Sequence, residues 1–259
     1  MDELMDFDTI RYEVTEGLCR VTLDRPERMN GMTNQMVREA YAALQRAAAD
    51  PSIRVLVLTG AGTAFCPGAD LKHFTTGGPD EVLTSREFEV TTLLHEIPAV
   101  TIAAINGACA GAGLGWALAC DVRVMAASAK LNTAFLDVAV AGDMAIPWSL
   151  PRIVGAARAR DLSFFPRRIE ADEAERLGIV ARVFADDTFR DDAESLLSTL
   201  LEKSPTALRA LKENYLAAER MTFADFTAYE AGRHLEIVAS ADTAEAFRAF
   251  VEKRKPVFG

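Results

Sequence analysis

A glycine-rich segment follows a buried strand in the middle of the chain. Residues 99–105 are almost all apolar, the segment Gly111-Ala-Gly-Leu-Gly115 comes shortly after them, and a second apolar strand spans 122–126. A turn of this kind at a helix start directs unpaired backbone N–H groups at whatever lies in front of it, which favours developing negative charge. The spacing predicts a site for an anion or oxyanion, although the same glycines would also permit close packing of helix on strand.

A dinucleotide site is the other chemistry that a glycine-rich turn after a strand suggests. Here the glycines at 111, 113 and 115 follow the spacing G-x-G-x-G, whereas dinucleotide sites use G-x-G-x-x-G. The turn also lies far into the chain, and no acidic residue closes a second strand about 20 residues further on. We therefore exclude a Rossmann-type site.

A second segment that contains a glycine also follows a buried strand. Phe65–Lys72 reads Phe-Cys-Pro-Gly-Ala-Asp-Leu-Lys and follows the buried strand 55–59. Four further motifs stand in order along the chain: LDRPERMN at 23–30, LPRIVG at 150–155, AERLGIV at 174–180 and FVEKRK at 250–255. Together the six motifs resemble the signature of the crotonase superfamily, the enoyl-CoA hydratase/isomerase family, over nearly the whole chain.

The resemblance implies an α/β fold. Its core would be a crotonase-like ββα spiral that binds an acyl-CoA, in residues 1–195, followed by a C-terminal α-helical trimerisation region in residues 196–259. The residue pattern agrees: two alternating segments at 10–14 and 19–23 predict a hairpin, and Thr33 precedes a helix with apolar residues at helical spacing. After about residue 156 helical periodicity dominates, with 180–184 as the only extended piece.

Apolar faces on the C-terminal helices predict an oligomer. The helices that contain Phe223 and Phe226, and Phe247 and Phe250, have more apolar surface than a small appendix could bury alone. In the family that the chain resembles, these helices build a homotrimer, often paired into a hexamer. The alternative is that they fold back onto their own core.

The resemblance implies an oxyanion hole for a thioester carbonyl. Matched residue by residue, its two backbone N–H donors are Ala69 and Ala112, next to Gly68 and Gly111. This sequence departs from the family at Ala112, where a glycine is usual; the amide donor remains, but a methyl group narrows the approach. Two such donors would stabilise a thioester enolate.

Both glutamates that activate water in the hydratases of this family are absent. Their positions hold Gly115 and Phe135. Because enolate chemistry needs a base near the α-carbon, ordinary hydratase activity is doubtful.

Asp143 is the carboxylate whose position makes it the candidate acid/base. It stands seven residues before Leu150, where the dienoyl-CoA isomerases and 4-chlorobenzoyl-CoA dehalogenases of the superfamily also have an aspartate; in the former it moves a proton, and in the latter it attacks an aromatic ring. Its neighbours are almost all apolar, so desolvation should raise its pKa and make it a better base. The alternative is that Asp143 caps the helix that follows it.

Further residues are expected to bind the substrate. For the CoA moiety the resemblance points to the turn between Arg25 and Met29 and to Asp70, Leu71 and Lys72. It also points to Phe250 and Lys253 from a neighbouring subunit, although these two could instead belong to a solvated face. Aromatic residues near the catalytic positions would favour a bulky or aromatic acyl group, although they could equally be core: Phe74, Trp116, Phe135 and Trp148.

Composition limits the alternatives. The chain has 259 residues, a formal net charge of -10 and 50% hydrophobic residues, which disfavours nucleic-acid and membrane-surface partners. Four cysteines without C-x-x-C spacing predict reduced thiols, and no residues have metal-ligand spacing. Without a signal core or an apolar run of about 20 residues, a cytoplasmic protein is expected.

These observations predict an acyl-CoA enzyme that stabilises a thioester enolate, with isomerisation of an enoyl- or dienoyl-CoA as the leading reaction and Asp143 as acid/base. Coenzyme A would enter as part of the substrate, and no separate cofactor is expected. The alternatives are an aromatic acyl-CoA enzyme resembling 4-chlorobenzoyl-CoA dehalogenase, a hydratase with atypical water activation, and an acyl-CoA-binding protein without catalysis.

Overall fold

The computed structural model describes residues 7–76 and 82–258. The strands are β1 Ile10–Thr15, β2 Leu18–Leu23, β3 Val55–Gly60, β4 Ala64–Cys66, β5 Val100–Ile105, β6 Ala108–Ala110, β7 Val122–Ala126, β8 Lys130–Asn132, β9 Ile169–Glu170 and β10 Arg182–Phe184. The α-helices are α1 Asn34–Ala49, α2 Leu71–Thr76, α3 Val90–Glu96, α4 Gly111–Ala119, α5 Ile146–Val154, α6 Ala156–Phe164, α7 Ala171–Arg176, α8 Phe189–Leu201, α9 Pro205–Ala218, α10 Phe223–Val238 and α11 Ala241–Glu252. Short 3-10 helices span Pro26–Arg28, Glu87–Glu89 and Leu136–Val138.

The strands of the described residues form two sheets, one in the order β1-β2-β3-β5-β7-β10 and one in the order β4-β6-β8-β9. In the first sheet, β3 pairs parallel with β5 and β5 with β7. In the second, β4 pairs parallel with β6 and β6 with β8. From β3 to β8, each turn of the chain adds one strand to each sheet before a helix returns it, which confirms the predicted ββα spiral.

The predicted hairpin and the helix after it are also present. β1 and β2 pair antiparallel through Glu16 and Gly17, both at positive φ (50° and 86°), as a two-residue hairpin turn requires. The Thr33 side chain accepts a hydrogen bond from the Met36 N–H (3.2 Å) and caps α1. The apolar face of α1 is buried: Met36, Val37, Ala40, Ala43, Leu44 and Ala47. This face packs into the main core.

All four cysteines are free thiols buried in the protein: Cys19, Cys66, Cys109 and Cys120. Burial raises the pKa of Cys19, Cys66 and Cys120 to about 12. The prediction of reduced thiols is confirmed.

The C-terminal third is helical, as predicted, apart from β9 and from β10, which joins β7 in parallel. The predicted boundary after residue 195 falls inside α8, where Leu197 is 2% exposed and belongs to the main core. Beyond α8, no residue of α10 is buried, and all of that helix is described. None of the helices in the described part of the chain is long and apolar enough to cross a membrane.

An ion pair that contains a buried lysine ties α9 to the first sheet. Lys212 on α9 is 4% exposed, and its Nζ lies 2.6 Å from Asp121 Oδ2. The same Asp121 oxygen accepts hydrogen bonds from the N–H and hydroxyl of Thr101 on β5 (2.8 and 3.1 Å). The charge on α9 is therefore matched by a carboxylate that the sheet holds in place.

We expect the substitution Lys212→Met to lower the free energy of unfolding by about 1–2 kcal/mol, since Asp121 loses its charged partner but stays partly exposed and keeps its hydrogen bonds from Thr101. Lys203→Met, at an exposed position beyond α8, is the matched control and should change it by less than about 0.5 kcal/mol. Urea unfolding followed by circular dichroism measures both. Equal effects of the two variants would contradict a structural role for the pair.

Candidate active site

Two backbone segments meet where β4 and β6 end. Gly68 and Gly111 have positive φ, 101° and 50°. A Cβ built on Gly68 would lie 3.2 Å from the Ala110 carbonyl oxygen and 3.7 Å from Gly111 Cα. One at Gly113 would lie 2.2 Å from the Cys66 carbonyl oxygen. The start of α4 therefore rests directly on the segment 66–68, with no side chain between them.

The two expected N–H donors belong to these segments. Met32 forms a parallel bridge with Ala69, in which the Met32 N–H donates to Gly68 O (2.8 Å) and the Asp70 N–H donates to Met32 O (2.9 Å). The Ala69 N–H faces away from Met32 in such a bridge, and Ala69 is exposed. Ala112 is the second residue of α4, among the first helical N–H groups, which lack partners within a helix.

An ion pair between two predicted binding residues fixes the loop around Ala69. Arg25 Nη2 lies 3.1 Å from Asp70 Oδ2, with the side chains 15% and 8% exposed. Asp70 Oδ1 also accepts from the His73 N–H (3.0 Å). Although burial acts to raise the pKa of Asp70, the bond from His73 and the bond and charge of Arg25 outweigh it, and the pKa is lowered. Both charges are thus matched within the protein.

Asn30, which the sequence interpretation missed, holds the same region together. Its side-chain oxygen accepts from the Arg25 N–H (2.8 Å), and its amide nitrogen donates to the carbonyls of Ala61 and Ala64 (2.8 Å each). It is completely buried. The sequence signal was its place at the end of the LDRPERMN motif.

Other predicted binding residues form an open rim beside Ala69. Met29, Leu71 and Phe74 are 50%, 51% and 47% exposed, and Lys72 is exposed on the same helix, α2. The rim offers apolar surface next to a cation, which suits a ligand with both apolar and anionic parts.

Asp143 lies in a strained segment between the Leu136–Val138 turn and α5. Its two neighbours, Gly142 and Met144, and also Ala145, have positive φ (95°, 45° and 59°), which is unfavourable for the non-glycine residues. In the described part of the chain, Asp143 Oδ1 is buried and has no hydrogen-bond partner. Burial raises the pKa of this carboxyl, as predicted.

The helix-cap alternative for Asp143 does not describe this geometry. The residue at the N-cap of α5 is Ala145, and no side chain of the described residues caps the helix. Only the backbone of Asp143 bonds to α5, where its carbonyl accepts from the Ile146 N–H (3.1 Å). The carboxylate is therefore left for another role.

The Asp143 segment packs on α4. A Cβ at Gly115 would lie only 2.4 Å from Met144 Cβ and 2.7 Å from Met144 O. The Asp143 charge also adds to the effect of burial in raising the pKa of Cys66, whose carbonyl approaches Gly113. The structure thus places the residue next to Asp143, Met144, against Gly115 and Trp116 of α4.

Of the two positions at which hydratases of the family keep glutamates, one has no room for a side chain and the other holds an apolar ring. Met144 covers Gly115, so a side chain there would collide with it. Phe135 is 6% exposed, and its ring is 4.0 Å from a Cβ built on Gly142. Sequence reasoning missed Met144, since only the glycine at 115 hinted that another residue needs that space.

The two tryptophans lie in different environments. Trp116 on α4 is fully buried, and its Nε1–H donates to Met144 Sδ (3.3 Å). Trp148 on α5 is 41% exposed, stacked edge-on with His95 (5.4 Å) and under the Arg152 guanidinium (3.8 Å). Trp148 borders a groove of about 190 Å³ that Ala119 and Ala145 also line.

Phe250 and Lys253, the predicted binding residues near the C-terminus, are not buried in the single chain. Phe250 is 86% exposed, and Lys253 follows the last residue of α11 with a φ of 53°.

A separate cavity of about 720 Å³ lies over β2, β3 and α8, and none of the predicted site residues lines it. Residues 7–76 and 82–258 include no group of three or more His, Cys, Asp or Glu side chains that could hold a metal ion.

Three curated relatives resemble the chain over most of its length. A protein of Rhodobacter capsulatus named probable enoyl-CoA hydratase is 39% identical over 98% of this chain and 99% of its own. The 1,2-epoxyphenylacetyl-CoA isomerase of Escherichia coli is 34% identical, with the same coverage. The 4-chlorobenzoyl coenzyme A dehalogenase-1 of an Arthrobacter species is 34% identical over 79% of this chain and 76% of its own.

Solved structures agree. An enoyl-CoA hydratase from Bacillus anthracis superposes with a TM-score of 0.89 and 28% identity, covering 97% of this chain and 99% of its own. A protein from Thermobifida fusca, solved in complex with acetoacetyl-CoA, gives a TM-score of 0.83 and 30% identity over 89% and 95%. The family model for enoyl-CoA hydratase/isomerase matches residues 13–259. With its spiral of two sheets and its motifs in order, the chain belongs to the enoyl-CoA hydratase/isomerase family of the crotonase superfamily.

Proposed function

We propose that this member of the family isomerises an acyl-CoA thioester, such as an enoyl- or dienoyl-CoA, through an enolate. The observation that carries the proposal is the partly buried Asp143 beside α4, whose Oδ1 is buried without a hydrogen-bond partner, together with the absence of a carboxylate at 115 and 135. Coenzyme A enters as part of the substrate, and the reaction asks for no other cofactor.

The thioester oxygen would accept hydrogen bonds from the N–H groups of Ala69 and Ala112. The first helical turn of α4 carries partial positive charge, which stabilises the enolate oxygen as it forms. Loss of one such donor typically costs about 2.7–4 kcal/mol of barrier. The methyl group of Ala112 leaves this donor intact.

Asp143 would take a proton from one carbon of the substrate and return it to another. Its raised pKa makes it a stronger base than an exposed aspartate. Hydration would instead need a carboxylate to activate water, and this chain has none at the two usual positions, which hold Gly115 and Phe135. Isomerisation requires only one group that both accepts and donates a proton.

The CoA moiety would lie along the rim formed by Met29, Leu71, Lys72 and Phe74. Arg25 and Asp70, which are paired with each other, would shape the loop that presents Ala69. The acetoacetyl-CoA complex of the Thermobifida fusca relative supports an acyl-CoA ligand for this chain.

An aromatic acyl group is the second candidate substrate. Two relatives have names with an aromatic acyl-CoA, phenylacetyl in one and chlorobenzoyl in the other, and Phe135 gives the Asp143 segment an apolar neighbour. If Asp143 instead attacked the ring of a 4-halobenzoyl-CoA, halide would be released.

Isotope exchange tests the proposal. The protein is incubated in heavy water with saturated, enoyl, dienoyl and aromatic acyl-CoAs, and deuterium uptake and product mass are followed by mass spectrometry. We expect uptake with at least one unsaturated thioester, and Asp143→Asn should slow it by roughly 10²–10⁴-fold, the usual contribution of a general base.

Asp137→Asn is the matched control, because Asp137 is an exposed aspartate a few residues away, and it should exchange at the wild-type rate. Equal rates in all three proteins would exclude Asp143 as the base. Tight binding without exchange, conversion or halide release would favour an acyl-CoA-binding protein, and a hydrated product that does not depend on Asp143 would favour an atypical hydratase.

The raised pKa of Asp143 also predicts how stability depends on pH. Because the folded state binds this proton more tightly than the unfolded state, wild-type stability should decline as the pH rises from about 4, the ordinary pKa of aspartate, through the raised value. Asp143→Asn lacks this penalty, so its free energy of unfolding should exceed that of the wild type at pH 7, and the difference should shrink toward pH 4. Urea unfolding at several pH values measures it, and a difference independent of pH would contradict the buried charge.

We propose that the protein assembles as a homotrimer or a dimer of trimers through its C-terminal helices. Phe223 and Phe250, 88% and 86% exposed in the single chain, leave apolar surface that another copy would cover. Light scattering coupled to gel filtration should give three or six times the chain mass, and Phe223→Asp should yield smaller species. A monomeric wild type would refute the assembly.

A further inference from the structure

Trp116 is a predicted substrate-binding residue that the structure places wholly inside the protein. Its exposed fraction is 0%, so in this structure it offers no surface to a ligand. Its indole N–H donates to the thioether sulfur of Met144 (3.3 Å), the residue immediately after Asp143. A thioether is a weak acceptor, and an indole beside it also gains from contact with the polarisable sulfur.

Met144 also contacts α4 at Gly115, in addition to its hydrogen bond from Trp116. The missing side chain at Gly115 allows Met144 Cβ and carbonyl oxygen to lie against the helix backbone. Met144 itself has a φ of 45° and is 5% exposed. A residue held in an unfavourable backbone region needs surrounding contacts to keep it there, and Gly115 and Trp116 supply those contacts.

Helix α4 also carries Ala112, one of the two proposed N–H donors to the enolate oxygen. Ala112 and Trp116 are four residues apart on α4, about 6 Å along the helix axis. A helix of nine residues with eight of them buried is a rigid support. The distance from the oxyanion donor to the anchor of the Asp143 segment is therefore fixed by helix geometry.

We propose that Trp116, acting through Met144, is a positioning residue that holds the Asp143 carboxylate in its dry location relative to the Ala112 N–H. The proposal rests on the proposed function, in which Asp143 moves the proton. Trp116 does not touch the substrate; it determines where the base stands.

The first test needs no substrate. Protein labelled with ¹³C at the aspartate carboxyl carbon is titrated by NMR, and the Asp143 resonance is identified by its absence in Asp143→Asn. Trp116→Phe keeps an aromatic ring, although a smaller one, and removes the N–H donor. Met144→Leu conserves the volume but removes the acceptor. We expect each to lower the pKa of Asp143 toward the ordinary value, because a looser segment admits water to the carboxylate.

The double variant Trp116→Phe/Met144→Leu should match either single variant, since all three lose one contact. Trp148→Phe, which removes the other indole N–H, should leave the pKa of Asp143 as in the wild type. The Cys66 thiol is the titratable group on which the Asp143 charge acts, and its pKa, already raised by burial, lies outside the titrated range.

With an acyl-CoA that the exchange experiment identifies, Trp116→Phe should reduce kcat between about tenfold and a hundredfold, with KM within about twofold of wild type. The pH at which the rate rises should move down with the pKa of Asp143. A lower melting temperature with an unchanged pKa and pH profile would reduce Trp116 to a core residue and overturn the inference. Should Trp116→Phe fail to fold, Met144→Leu decides by the same readouts.

The two hypotheses fail in different ways. If no acyl-CoA exchanges, or exchange is independent of Asp143, the proposed function fails while the NMR titration still tests whether Trp116 and Met144 hold the carboxylate. If exchange depends on Asp143 but its pKa is the same in Trp116→Phe and Met144→Leu, the base is correct and the positioning role is wrong.

Discussion

The architecture depends on one close approach of backbone to backbone, between the start of α4 and the segment that follows β4. A Cβ at Gly113 would overlap the Cys66 carbonyl, and Gly68 and Gly111 face each other with only hydrogen between them. This contact fixes how successive turns of the spiral stack, because β4 and β6 are neighbours in the second sheet. It also brings the amides of two distant segments to one place, so the packing requirement and the proposed chemistry share the same residues.

Unfavourable features concentrate in the segment around Asp143. Three residues in four at 142–145 have positive φ, and the carboxylate there is buried without a partner. Two other carboxylates, Asp70 and Asp121, are paired with Arg25 and Lys212. Active sites commonly carry such a local cost in stability, and the unpartnered Oδ1 of Asp143 fits that pattern. The strain is localised, because α4 supports the segment from below.

The sequence was sufficient for the hairpin and the helical third, since apolar spacing and turn residues are local signals, whereas the spiral was predicted only from the resemblance of the motifs to the crotonase superfamily. It also predicted that burial would raise the pKa of Asp143, because the surrounding residues are apolar. It could not show that Arg25 and Asp70 pair with each other, that Trp116 lies in the core, or that Met144 fills the space above Gly115. These are contacts between residues 28 to 45 positions apart, and no periodicity encodes which side chain will occupy a space that a glycine leaves.

Burial of every cysteine has a practical consequence for labelling. Thiol reagents attack the thiolate, and burial raises the pKa of Cys19, Cys66 and Cys120 to about 12 and that of Cys109 well above its ordinary value. The thiols of the folded protein should therefore not react with maleimide at neutral pH. One cysteine introduced on the exposed face of α10 would then be the sole attachment point for a fluorophore or spin label, without removal of any native thiol. The surroundings of that label could be followed in solution on an otherwise unaltered protein.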